Sequence, residues 1–147
     1  MNNCQHLAHV LSPAAHRLWA CGLLLLAACG GGNREENPPE YEASLAAKLS
    51  YEALYLDGKV ETFLNGRLHS GEMPEDFRQQ LIDSYNSHLR QVEREHHGVR
   101  TTEVIRAEKD TSLDCMQVFL AITYVDGVRE EIVVPMVTDD DGRWHMK

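Results

Sequence analysis

The sequence predicts an α+β fold in which about three helices precede an antiparallel sheet of about four strands. Between residues 40 and 97, apolar side chains recur at spacings of three, four and seven, which is the pattern of helices with one buried face. After Gly98 the pattern changes to β-branched runs separated by turn residues, which is typical of strands and hairpins. Helices followed by a run of strands indicate the α+β class.

The first helix is predicted from Glu40 to about Asp57. Pro39 and the acids that follow it suit a helix start, where the helix dipole favours negative charge. Gly58 suits the position just after the helix end. We expect one apolar stripe of this helix to face the core: Tyr41, Leu45, Leu49, Ala53 and Leu56.

Two further helices follow. A short one is predicted over Val60 to Asn65, with Phe63 and Leu64 turned inward. A long one is predicted between Pro74 and Gly98, since proline suits the first turn of a helix and glycine its end. Its inward stripe is expected to contain Phe77, Leu81, Tyr85, Leu89, Val92 and His96.

Four strands are predicted at residues 99–109, 115–125 and 128–137 and around Trp144 and Met146. The second run is apolar on both alternating faces, so we place it in the centre of the sheet. Asp126-Gly127 predicts a two-residue hairpin turn between the second and third strands. Pro135 cannot donate to a strand ladder, which predicts an edge position or a bulge there.

The N-terminal segment predicts the cellular location of the protein. Its apolar run from Leu18 to Ala28 is shorter than the roughly 20 residues that span a bilayer and matches a secretory signal core. The run ends in Leu26-Ala27-Ala28-Cys29, which resembles the lipobox of bacterial lipoproteins. A buried helix and an uncleaved anchor are the alternative interpretations.

The lipoprotein resemblance implies a lipid anchor on Cys29. In that family the cysteine sulfur carries a diacylglyceryl group, the signal is cut before the cysteine, and the new amino group is acylated, so bound palmitate is expected. Gly30 stands where aspartate often marks retention in the inner membrane. The resemblance therefore implies a location in the cell envelope, at the bacterial outer membrane.

Three segments follow from this interpretation. Residues 1–28 are a lipoprotein signal peptide, residues 29–39 a flexible tether, and residues 40–147 one α+β domain. Residues 30–39 contain no apolar side chain able to enter a core, and their glycines favour a flexible chain.

The net charge argues against nucleic-acid binding, and the cysteine content argues against an internal disulfide. The chain has 14 basic and 23 acidic residues, and residues 1–28 contain only Arg17 of these, so the mature chain has a formal charge of −10. Such a chain is repelled by phosphate backbones, which argues against nucleic-acid binding. Once residues 1–28 are removed and Cys29 is lipidated, Cys115 is the one remaining cysteine. No internal disulfide is then possible, and we expect Cys115 to be buried and inert.

Three short motifs resemble the nuclear-transport-factor-2-like (NTF2-like) superfamily. They are Tyr51-Glu52-Ala53-Leu54 followed by Asp57-Gly58, then Thr123-Tyr124-Val125-Asp126-Gly127, and the closing Asp141-Gly142-Arg143-Trp144-His145-Met146-Lys147. His145 stands where the superfamily usually has lysine. The resemblance is to lipoproteins of that superfamily that carry a domain of unknown function. It implies a cone in which a curved sheet wraps long helices and leaves a pocket at its open end.

The functional expectation is a module that binds a small apolar ligand or a partner protein without catalysis. The alternatives are a small isomerase- or dehydratase-like enzyme using the cone, and a structural envelope spacer. The resemblance also implies a possible homodimer through the sheet, using Phe119, Val133 and Val137. The residues predicted to line the pocket are Tyr51, Tyr55, Phe77, Leu81 and Tyr85.

No catalytic residue, metal site or cofactor is predicted. Glu93 and His97 share a helix face, but two ligands make a weak zinc site, which normally has three or four. Asp139-Asp140-Asp141 lacks the alternating acids and distant glutamate of a calcium loop, so we interpret it as a solvated turn.

Overall fold

The computed structural model describes residues 37–147, and the proposed signal peptide, Cys29 and most of the tether lie outside them. The described residues belong to one compact unit. Within it, helix α1 covers Pro39–Tyr55, α2 covers Val60–Asn65, a 3₁₀ turn covers Ser70–Glu72 and α3 covers Glu75–His96. Strands β1 (Val99–Asp110), β2 (Cys115–Tyr124), β3 (Arg129–Thr138) and β4 (Trp144–Met146) follow.

The four strands form one antiparallel sheet in the order β1-β2-β3-β4. The predicted α+β class, the three helices and the central place of β2 are confirmed. The register of β1 against β2 shifts between Val99 and Thr101 and between Val104 and Arg106. Such bulges bend a strand and increase its twist, which curves the sheet around the helices.

The core lies between the helices and one face of the sheet. Along β2 the even-numbered side chains point to this face, and Val118 and Leu120 are fully buried. On the neighbouring strand β3, Val134 lies opposite Val118 and Ile132 lies opposite Leu120. From the helices, Leu54, Phe63 and Leu64 complete the same cluster, so the inward positions predicted for Phe63 and Leu64 are confirmed.

The predicted inward stripe of α1 is wrong for four of its five residues, and the fifth, Ala53, is buried as predicted. Tyr41, Leu45, Leu49 and Leu56 are all exposed. The helix instead buries a face composed mainly of small residues: Ala43, Ala47, Ala53 and Leu54. Because the sheet already supplies large side chains, small residues let the helix backbone approach it closely, and close packing stabilises this face.

Helix α3 packs less completely than its sequence predicts. It fully buries Val92 alone, while Leu81, Tyr85 and Leu89 are partly buried against the core. Phe77, in the first turn, is 48% exposed. The expectation that Phe77 faces inward is therefore wrong.

Two local features close the fold. The carbonyl of Pro135 accepts a hydrogen bond from the backbone N–H of Lys147, and in a strand the nitrogen points the same way as the carbonyl. The missing N–H of Pro135 thus faces the end of β4. The predicted edge strand or bulge is not observed, because β3 lies between β2 and β4 and its register against β2 is unbroken at Pro135. A Cβ atom on Gly66 would lie 2.9 Å from the Ser50 hydroxyl and 3.3 Å from the Met146 methyl group. Glycine therefore allows the chain after α2 to pair with β4, where Met146 N donates to Gly66 O.

Candidate functional site

A cleft of about 410 Å³ opens where α1 begins, at the end of the sheet formed by the start of β2 and the end of β3. Its apolar lining consists of Pro39, Cys115, Met116, Met136, Val137 and Trp144. Polar side chains from Glu40, Lys109, Asp114 and Thr138 also line it. The volume lies within the range of about 300–1,000 Å³ typical of small-molecule sites.

Strand register brings the apolar lining together. Met116 of β2 pairs with Met136 of β3, and Thr138 of β3 pairs with Trp144 of β4. Met116 and Met136 are buried and Trp144 is half-buried, so the methionines lie deeper than the indole. Unbranched methionine side chains adapt to irregular shapes and make favourable contacts with aromatic rings. Because both methionines are almost fully buried, half-buried Trp144 and Val137 offer much of the apolar surface that a ligand could touch, beside the polar side chains of the cleft.

The turn between β1 and β2, beside the cleft, is held by Asp110. Its carboxylate accepts hydrogen bonds from the Ser112 hydroxyl at 2.6 Å and from the backbone N–H groups of Ser112 and Leu113. These bonds, the Ser112 hydroxyl first, lower the pKa of the Asp110 carboxyl. An ionised aspartate thus fixes the turn that leads to Asp114 and Cys115.

The turn between β3 and β4 is held in the same way by Asp139. Its carboxylate accepts hydrogen bonds from the backbone N–H of Arg143 at 2.8 Å, from the Arg143 side chain, and from His145 Nε2 at 2.9 Å. The backbone N–H of Arg143, supported by both side chains, lowers the pKa of Asp139 to about 2. Two turns centred on aspartates therefore frame a largely preformed cleft.

The residues predicted to line a pocket lie elsewhere, and four of them pack together. Phe63 meets Tyr51 and Tyr85 edge to face, with ring centres 5.2 Å and 5.0 Å apart. Tyr55 adjoins Tyr51, with ring centres 6.1 Å apart, and Leu81 is partly buried against the same core. The cleft at the start of α1 is not lined by Tyr51, Tyr55, Leu81 or Tyr85.

Tyr51 and Tyr55 of this cluster are held in the neutral form. Burial raises the pKa of Tyr51 and Tyr55 above the ordinary tyrosine value. The Tyr55 hydroxyl lies 3.0 Å from His88 Nε2. Phe77 is exposed and does not join the cluster. The structure thus places these aromatic side chains in the core packing, which the sequence could not distinguish from a pocket lining.

A second group of polar side chains lies where α3 meets the β2–β3 turn. His96 stacks on Tyr124 with ring centres 4.3 Å apart, and its Nδ1 lies 2.7 Å from Asp126 Oδ2. The Tyr124 hydroxyl donates to Glu130 at 2.8 Å. Burial, followed by that hydrogen bond, raises the pKa of Tyr124 to about 12.

His97, considered above with Glu93 as a metal ligand, has a left-handed backbone with φ 59° just after α3. The other histidines of α3 have separate partners, since His88 bonds Tyr55 and His96 bonds Asp126. Across residues 37–147, no group of three histidine, cysteine, aspartate or glutamate side chains is arranged to hold a metal ion. Within the same range, no helix is both long and apolar enough to cross a bilayer.

Comparison with known proteins identifies the fold. No protein-family model matches the sequence, and no curated protein matches it either. A crystal structure described as an NTF2-like transpeptidase from Campylobacter jejuni is similar, with a TM-score of 0.54. The match covers 68% of this chain and 92% of that one at 12% sequence identity. The described domain has an NTF2-like fold. At this identity the similarity extends to the fold alone.

Sequence reasoning missed the cleft of the NTF2-like domain. The sequence predicts that Met116 and Met136 lie in strands. It does not show which ends of the strands lie beside α1. Trp144 and Met146 do share one face of β4, and both pack against the core, with Met146 buried and Trp144 half-buried beside the cleft. A signal was available in the two methionines and one tryptophan near strand ends, all suited to binding apolar groups.

Proposed function

We propose that this protein is a lipid-anchored lipoprotein of the cell envelope whose NTF2-like domain binds a small apolar ligand without catalysis. The observation that carries the proposal is the cleft between α1 and the end of the sheet, with its lining of Met116, Met136 and Trp144. The start of α1 forms one wall of the cleft, and the proposed tether leads directly into that helix. A ligand bound there would lie close to the membrane that the anchor reaches.

The lining indicates the kind of ligand. The sulfur and aromatic side chains favour an apolar body, and Lys109 is the one cation among the lining residues. Glu40 and Asp114 also face the cleft, so a strongly anionic molecule would be repelled by them. The chemistry fits a mainly apolar molecule with at most one polar end.

Binding is better supported than catalysis by the ionisable groups. A general acid works best when its pKa is raised towards the operating pH, whereas the pKa values of Asp110, Asp126 and Asp139 are all lowered. These aspartates fix turns. The alternative, an isomerase- or dehydratase-like enzyme, would have to use Tyr55 with His88 or Tyr124 with Glu130, since neutral tyrosines can donate to a developing oxyanion.

Fluorescence of Trp144 tests the proposal. Trp144 is the one tryptophan in residues 37–147, so titration with the apolar probe N-phenyl-1-naphthylamine should change its emission in a saturable way. Thr138→Phe would narrow the cleft from its edge without altering the buried core, and it should weaken binding at least tenfold. Thr111→Phe, on an exposed turn outside the cleft, is the matched control and should leave binding unchanged. Equal binding by both variants would refute the assignment of the cleft.

A further inference from the structure

The cleft at the start of α1 has a charged side and an aromatic side. The strand order β1-β2-β3-β4 places Lys109 of β1 at one edge of the sheet and Trp144 of β4 at the other, and both side chains line the cleft. Between these edges, Met116 pairs with Lys109 on one side and with Met136 on the other. The polarity of the lining therefore changes across the width of the sheet.

Both carboxylates of the cleft lie on the same side as Lys109. Asp114 belongs to the turn that connects β1 to β2. Glu40 also lines a groove between α1 and β1, where the lining includes Val104 and Ala107. The ammonium of Lys109 and the carboxylates of Glu40 and Asp114 are thus gathered on the β1–β2 side of the cleft.

These three charged groups form no ion pair within the described domain. Among residues 37–147, no ion pair includes Glu40, Lys109 or Asp114. Lys147, whose Nζ lies 3.4 Å from the carbonyl oxygen of Leu113, does not line the cleft. A bound molecule could therefore supply counter-charges of both signs.

Arg106 does not supply a second cation to the cleft. Its Nε donates to a carboxylate oxygen of Glu108 at 2.7 Å, and its guanidinium lies 3.5 Å from the ring centre of Phe119. Phe119 points away from the core, because its neighbours Val118 and Leu120 point into the core and side chains alternate along a strand. The cleft therefore offers one cation and two carboxylates.

We propose that the cleft binds a single-chain amphiphile whose head group carries one ammonium and one phosphate. The apolar chain contacts Trp144 and Val137 on the β3–β4 side. The ammonium contacts the carboxylates of Glu40 and Asp114, and the phosphate contacts Lys109, since a lysine ammonium is a compact point charge suited to phosphate. A volume of about 410 Å³ is in the lower half of the range for small-molecule sites, which fits one chain rather than two. This inference rests on the proposed function and names the ligand class of that site.

Amphiphiles of other charge match this lining less well. An anionic head would be attracted by Lys109 but repelled by both carboxylates, and a cationic head would be repelled by Lys109. An uncharged head would displace water from all three charged groups without giving them an ionic partner. Because charge complementarity sets specificity more than affinity, the head group should decide which of several equally apolar ligands binds.

Competition with a fluorescent probe tests the head-group preference. The protein is the proposed mature chain, residues 29–147, with Cys29→Ser, which retains the whole compact unit. N-phenyl-1-naphthylamine is bound first and is then displaced by dodecylphosphocholine, dodecyltrimethylammonium or dodecyl phosphate, each below its critical micelle concentration. Dodecylphosphocholine should act at a concentration about threefold lower than the other two, because an exposed ion pair changes an affinity by up to about fivefold.

Removal of charge on either side should reverse the preference. Lys109→Met should weaken dodecylphosphocholine about threefold and make dodecyltrimethylammonium the better ligand. The double variant Glu40→Gln/Asp114→Asn should make dodecyl phosphate the better ligand. Lys59→Met removes an exposed lysine outside the cleft and is the matched control for Lys109→Met, so it should keep the wild-type order.

Failure of this inference can be distinguished from failure of the proposed function. If the probe binds in a saturable way but the three amphiphiles displace it equally, head-group recognition is refuted and the apolar site stands. The same conclusion holds if Lys109→Met leaves their order unchanged. If the probe does not bind in a saturable way, the proposed function and this inference are refuted together.

Discussion

His96 Nδ1 and Asp126 Oδ2 lie 2.7 Å apart and join the last turn of α3 to the turn between β2 and β3. The two side chains are 27% and 30% exposed. The hydrogen bond from His96 is the main reason that the pKa of the Asp126 carboxyl is lowered, with the backbone N–H of Val128 second. Residues 30 positions apart are thereby held together at the edge of the sheet.

We predict that His96 and Asp126 are energetically coupled. His96→Ala and Asp126→Asn should each lower the melting temperature at pH 6, and the double variant should lose less than the sum of the single losses. Because the folded pKa of Asp126 is below its unfolded value, its contribution is present above about pH 4 and is lost as the pH falls through the folded pKa. Additive losses at pH 6 would contradict the coupling. Thermal unfolding monitored by circular dichroism provides the measurement.

Asp139 gives a second, sharper prediction about pH. Its pKa is about 2 in the folded protein, against about 3.9 in an unfolded chain. The ionised carboxylate therefore stabilises the fold above about pH 4, and this contribution disappears between about pH 4 and pH 2. The difference in melting temperature between wild type and Asp139→Asn should be constant above pH 5 and should vanish near pH 2. Asp140→Asn, which removes an exposed carboxylate from the same turn, is the matched control.

The orientation of α1 predicts a large effect for one substitution within the helix and a small effect for another at Leu56, just after its last residue. Ala47 is fully buried, so Ala47→Leu should overpack the contact with the sheet and cost about 1–3 kcal/mol. Leu56 is 45% exposed, so Leu56→Gln should change the free energy of unfolding by less than about 0.5 kcal/mol. Urea denaturation measures both. If Leu56→Gln proved the more damaging change, the stripe predicted from sequence would be the buried one.

The proposed anchor predicts a labelling experiment in cells. Cells that express the full chain and grow with an alkyne analogue of palmitate should label the protein, and Cys29→Ser should abolish the label and retain residues 1–28. Cys21→Ser, eight residues earlier in the apolar run, is the matched control and should label normally. Label that persists in Cys29→Ser would refute lipidation at this residue. In-gel fluorescence measures the label, and mass spectrometry shows whether residues 1–28 are retained.

The strands were predicted more accurately than the helix faces. In the run at 115–125, both the odd-numbered and the even-numbered side chains are mainly apolar, which predicted a central strand. The structure confirms this place for β2, because a strand between two neighbours and against helices has little exposed surface. The turn residues Asp126-Gly127 correctly located a hairpin, but its loop has three residues, Val125 to Gly127, and not the predicted two, because Tyr124 N donates to Val128 O. These features depend on neighbours in sequence, so they could be recognised without the structure.

The face of α1 could not be predicted for a physical reason. The helix has two candidate faces, one with large apolar residues and one composed mainly of alanines, and periodicity alone favours the larger. Which face is buried depends on how much space the sheet leaves, and β2 fills that space with Val118, Leu120 and Met116. Phe77 was misplaced for a related reason, since its burial depends on how far the packing of α3 extends towards its first turn.

The contact between Gly66 and Met146 has a consequence for biosynthesis. Every helix of the domain precedes every strand, so the nascent chain presents α1, α2 and α3 before the surface that covers them exists. Pairing of segments 80 residues apart must wait for translation to reach the second partner. Until then, apolar side chains such as Leu54 and Phe63 are accessible to chaperones. For the export proposed above, this delay would keep the core open while the secretion machinery engages the chain.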